Sequence, residues 1–122
     1  MNKKEIKNLW NTNHEGKHKL KEFDISGDHI HFEFSHFKFK NDKEWYNVII
    51  NRITRKVLGY VGCEWKDEDG FPWSGMLDKK VPEKLIREVE NFFYINVVPN
   101  YTGIEPLWVE RDFTAIENGI GA

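Results

Sequence analysis

Between Ile30 and Trp65 the chain runs through short stretches in which apolar and polar residues alternate, each stretch closed by a turn. A period of two over four or more residues is the pattern of a half-buried strand, and repeated turns between such runs give an antiparallel sheet. Ile30, Phe32 and Phe34 fall on one face, with His29, His31 and Glu33 on the other. Apolar residues resume at Phe37 and Phe39, out of step with Phe34, so a bulge near Ser35 and His36 is expected to return the rings to the core side. Trp45 to Ile53 is rich in aromatic and β-branched residues and reads as a central strand. Val57 to Trp65 follows as another, with Gly59 and Gly62 placed for a bend, a bulge or a close backbone approach.

Weaker strand signals flank this run. Leu20, Phe23 and Ile25 precede the turn at Ser26-Gly27-Asp28, and Phe71 to Leu77 follows the turn Lys66-Asp67-Glu68-Asp69-Gly70. Pro72 has no N–H to give a ladder, so that last run belongs at a strand start or a sheet edge.

Helices are expected on either side of the meander. Ile6, Leu9 and Trp10 are spaced i, i+3, i+4 among polar residues, and Leu85, Ile86, Val89, Phe92 and Phe93 form a broader stripe after Pro82. The reading is a single α+β domain over residues 1–122. It comprises a short N-terminal helix (1–12), an antiparallel four- to five-stranded meander (19–77), and one long amphipathic helix (82–96) packed on the sheet. A short strand or extended segment (104–115) and a loose tail (116–122) complete it. Phe32, Ile49 and Phe92 are expected away from solvent.

A chain of 122 residues carries one core, and five Trp, nine Phe and four Tyr make that core aromatic. Cys63 is the single cysteine, which excludes an internal disulfide. Met1 to Lys7 is positively charged with no apolar run behind it, so no standard secretory leader is expected and a cytoplasmic location is the default expectation. The formal charge of −2 conceals an asymmetry. Residues 1–60 hold twelve Lys/Arg against eight Asp/Glu, whereas residues 61–122 hold six against twelve.

Several motifs match a pattern without its context. His14-Glu15-Gly16-Lys17-His18 spells HExxH, but Gly16, Lys17 and the polar flanks deny it the buried helix that zinc chemistry requires. Asp67-Glu68-Asp69-Gly70 resembles a fragment of a calcium loop, yet the register puts Trp65 first and Met76 where the bidentate carboxylate belongs. Ser74 lacks the glycine frame of a nucleophile elbow, and Cys63 in a strand reads as a small buried hydrophobe. No catalytic residue, metal site or cofactor is assigned.

The segment from Trp65 to Trp73 remains. Trp65, Phe71 and Trp73 surround the acidic turn Asp67, Glu68 and Asp69, the composition of a protein-binding hot spot aimed at a basic partner. Its bland alternative is a Trp65–Trp73 pair that closes the core across a hairpin. The leading expectation is a small non-enzymatic interaction domain, an inhibitor or immunity-type factor for a basic, nucleic-acid-handling protein. One alternative is an RNA- or DNA-binding module using Lys38, Lys40, Lys43, Arg52, Arg55 and Lys56, with Trp45 or Phe39 stacking on bases. Another is a metal-dependent enzyme using His29 and His31.

Overall fold

A computed structural model describes residues 1–14, 18–36 and 44–110. Helix α1 (Lys3–Asn13) leads into five strands, β1 (His18–Ser26), β2 (His29–His36), β3 (Glu44–Asn51), β4 (Val57–Lys66) and β5 (Pro72–Leu77). Helix α2 (Glu83–Phe92) follows and runs on into a π-helical turn, Phe93–Val97. The strands form one antiparallel sheet in chain order, β1-β2-β3-β4-β5. This is the α+β arrangement expected, with the full complement of five strands.

Registration divides the sheet into two faces. Ile30, Phe32 and Phe34 of β2 pair with Ile50, Val48 and Tyr46 of β3, which pair in turn with Val57, Gly59 and Val61 of β4. These residues point toward the helices. α1 starts under a capping box: the Asn2 side chain accepts from Glu5 N–H at 2.9 Å, and Glu5 Oε1 accepts from Asn2 N–H at 3.2 Å. Its Ile6 and Trp10, one turn apart, are fully buried. The Trp10 ring meets Phe34 at 5.0 Å and the edge of Phe92 at 5.1 Å, so one indole joins α1, β2 and α2. α2 contributes Leu85, Val89 and Phe92, all buried. Gly59 is what lets the chain entering α2 come close, because a Cβ there would stand 3.0 Å from both Val81 Cβ and Ile86 Cδ1.

Four departures from expectation have physical causes. The register shift lies between Leu20 and Glu22 of β1, not at Ser35-His36: β2 keeps step with β3 from His29 to Phe34, and the slack is taken up by its other neighbour. Phe37 and Phe39 lie outside the described residues. Ile49 is buried as expected, but on the opposite face from the helices, between His31 and Leu58. Pro82 precedes the first helical residue instead of occupying it.

The fourth concerns the segment after the π turn. Of the expected 104–115 element, the described part, 104–110, is not a strand but an irregular strap. It is held by Val109 N–H to the Arg52 carbonyl at 3.2 Å and by Trp108, whose ring meets the edge of Phe93 at 5.5 Å. Residues 111–122, including the expected tail, lie outside the described residues. Among the described residues no helix is long and apolar enough to cross a membrane.

Candidate functional site

The β4–β5 hairpin is built around one carboxylate. Asp67 Oδ1 accepts from the backbone N–H of Asp69 at 3.0 Å and of Phe71 at 2.9 Å, while Oδ2 accepts from the indole Nε1–H of Trp73 at 2.9 Å. Gly70, with φ +81°, supplies the left-handed residue that turns the chain back. These donors hold the Asp67 carboxyl below its ordinary value, the Trp73 indole foremost, followed by the Phe71 amide. Asp67 is thereby committed to the turn. Glu68 and Asp69 at its tip are exposed, as is Glu64 on β4.

Trp65 and Trp73 are direct partners across the hairpin, as the bland reading requires, but they do not close the core. Trp65 is 46% exposed, Trp73 53% and Phe71 64%. Their strand positions put both tryptophans on the same face as the core, beyond the last residues that the helices cover. The Trp65 ring lies beside Gly75, where a Cβ would make ordinary contact at 3.5 Å with Trp65 Cη2 and Cζ3. The hairpin thus gathers all six residues expected at the site, with Asp67 as internal brace and the other five facing outward.

Two further apolar side chains are exposed away from the turn. Met76 on β5 and Leu58 on β4 are also exposed, on the face opposite the helices. Their strand phase was readable, but not that no element among the described residues covers that face. Ser74 is exposed on β5, and Cys63 is buried.

Of the cations of the nucleic-acid alternative, Arg52 and Arg55 are engaged within the fold and Lys56 is exposed. Arg52 is buried, its Nη1 donating to the Gly27 carbonyl at 2.5 Å and its Nη2 to the Pro106 carbonyl. Arg55 stacks over the Trp108 ring at 4.4 Å. Trp45 is half-buried with its indole over Gly62. Lys38, Phe39, Lys40 and Lys43 lie outside the described residues.

The histidine face gives a polar hollow. His29 and His31 stand with ring centroids 6.0 Å apart, and His31, Glu33, Glu22, Asp24, Ser26 and Asn47 line a depression of about 300 Å³. Burial lowers the His31 pKa, with His29 adding to it, and burial raises that of Glu33. No group of three His, Cys, Asp or Glu among the described residues has the geometry to hold a metal ion. His14 ends α1 and His18 opens β1, so the two histidines of the HExxH match do not share a helix.

No protein-family model, curated protein or solved structure matches this chain.

Proposed function

We propose that the chain is a protein-interaction domain that docks a basic partner on the β4–β5 hairpin, and that it acts as an inhibitor or immunity-type factor on a nucleic-acid-handling protein. The observation that carries this reading is three large rings, Trp65, Phe71 and Trp73, left between 46% and 64% exposed around a turn bearing Glu68 and Asp69. Solitary apolar side chains at a surface need no explanation, but clustered aromatic ones rimmed by charge are the composition of interface hot spots. The hairpin is also preorganised. Asp67 fixes the Trp73 indole before any partner arrives, so less side-chain entropy is lost on docking. Carboxylates at the tip suit a partner whose own surface is selected to attract phosphates.

A photo-crosslinking amino acid at Phe71, compared with one at exposed Asn91 on α2, tests the reading in the native cell. The expected result is a protein adduct at position 71 alone, to a basic protein whose nucleic-acid-processing activity falls when the purified chain is added. Glu68→Gln with Asp69→Asn weakens the adduct. Equal labelling at both positions, adducts indifferent to those substitutions, or adducts to nucleic acid would overturn it.

A further inference from the structure

The two edges of the sheet are built differently. Edge strand β1 carries Lys19, Lys21, Glu22 and Asp24, contains the register shift, and has α1 packed against it. Charges, bulges and covering elements are the devices that keep an edge from pairing with another chain. Among the described residues β5 has almost none of them. Pro72-Trp73-Ser74-Gly75-Met76-Leu77 contains no charged residue, stays in register with β4 throughout, and is exposed at every position but Leu77. Its one blunting residue is Pro72, at the first position.

The outward groups of this edge follow from the hairpin. Asp67 N–H donates to the Phe71 carbonyl at 3.1 Å, which gives this position the phase of a hydrogen-bonded pair, with the Phe71 N–H taken by Asp67 Oδ1 in place of the carbonyl. Such pairs alternate along an antiparallel ladder, which makes Trp65:Trp73, Cys63:Gly75 and Val61:Leu77 the bonded pairs within the sheet. Ser74 and Met76 therefore turn their N–H and C=O groups to the open side. Pro72 shares that phase, which is why a residue without N–H is tolerated there.

Charge then selects the occupant. The acidic turn Asp67-Glu68-Asp69 lies at one end of β5, and Asp78, Lys79 and Lys80 follow the other, with a net positive charge. An antiparallel strand of identical sequence brings each acidic turn to the other copy's lysines, twice in one dimer. Lys79 already reaches Glu44 at 3.3 Å, so Lys80 carries the contact to Glu68. We propose that β5 pairs antiparallel with β5 of a second copy of this chain, joining two sheets into one about a two-fold axis near Ser74. Such an axis stands perpendicular to the sheet and keeps both helix-bearing faces on one side. Strand pairing uses the backbone edge and leaves the rings of Trp65, Phe71 and Trp73 open, while Glu68 serves both surfaces, so substitutions on the β5 edge and not at Glu68 separate the inference from the docking reading.

Sedimentation equilibrium on the whole chain, from about 1 µM to about 500 µM, reads the mass-action response. The weight-average mass is expected to rise from 14.6 kDa toward twice that value. Ser74→Pro removes an outward N–H and leaves the β4 ladder whole, so its mass stays at one chain. Should that variant fail to fold, Met76→Lys places a charge on the same edge with the same expected result. Lys80→Glu and Glu68→Lys are each expected to weaken association by about fivefold or more at low salt, the contact occurring twice. Mixing the two variants restores it, because every cross-copy pair is then complementary. A single-chain mass at all concentrations, dimers that persist in both edge variants, or no recovery in the mixture would overturn the proposal. Crosslinking from Phe71 keeps the two readings separate: in Ser74→Pro a monomeric mass with an undiminished adduct is the expected result, whereas a wild-type chain that stays monomeric beside an undiminished adduct overturns strand pairing alone.

Discussion

Replacing Arg52 by methionine tests whether a buried cation serves the fold or a ligand. The methionine keeps much of the side-chain volume and removes every donor. Lost are the bonds from Nη1 to the Gly27 carbonyl and from Nη2 to the Pro106 carbonyl, the second of which anchors the strap to the β3–β4 connection. Hydrogen bonds from a charged donor contribute about 1.5–3 kcal/mol each when deleted. Both carbonyls are only part-buried and recover some hydration, so the total falls at about 2–4 kcal/mol. With a urea m-value of about 1.5 kcal/mol/M for a chain of this size, the unfolding midpoint should drop by about 1.5–2.5 M. Arg52→Lys should recover roughly half, since one ammonium cannot span two carbonyls that a guanidinium fork reaches together. Hydrogen exchange adds a local readout, because the Val109 amide, bonded to the Arg52 carbonyl, loses protection as the strap loosens. A midpoint within about 0.3 M of wild type, or unchanged protection at Val109, would refute the clamp and return Arg52 to the surface cations.

Two further outcomes follow from the sheet's outer face. In Gly62→Ala the new Cβ stands 2.4 Å from Trp45 Nε1 and 2.9 Å from Asn47 Nδ2, so thermal melts should show a loss of about 1–3 kcal/mol. In a Trp45→Ala background the same change should cost less than about 1 kcal/mol, since the clashing ring is gone. His31, whose pKa in the folded chain lies below the unfolded value, resists protonation on folding. Its stabilising share is complete above the unfolded pKa and is lost as pH falls below it. Wild-type urea midpoints should therefore drop more between about pH 7.5 and about pH 5.5 than those of His31→Gln, and parallel slopes would contradict the assignment.

The fold was legible where one face of an element is buried and the other wet. The alternation around Ile30, Phe32 and Phe34 and the stripe of Leu85, Val89 and Phe92 each report a single buried face, and local pattern suffices for that. β3 defeats the same logic. Asn47, Val48, Ile49 and Ile50 are all buried, so the period of two disappears and the side occupied by Ile49 depends on register with β2 and β4. Arg52 was read as a surface charge because sequence carries no sign that two distant carbonyls converge on it. The capping box at Asn2 and Glu5 is a local signal that the sequence carries beside the apolar stripe. For the hairpin, composition named the residues but not their exposure. Whether Trp65 and Trp73 face solvent depends on how far α2 reaches along β4, which is tertiary information.

The most direct test of the docking account is calorimetric titration of the protein crosslinked from Phe71 with the purified chain, with Trp65→Ala and Phe71→Ala alongside. Each substitution should weaken binding at least about tenfold, as central aromatic residues of an interface do, and added salt should weaken the wild-type complex further. Affinities unchanged by both substitutions would contradict the account and leave the exposed rings without a role in docking.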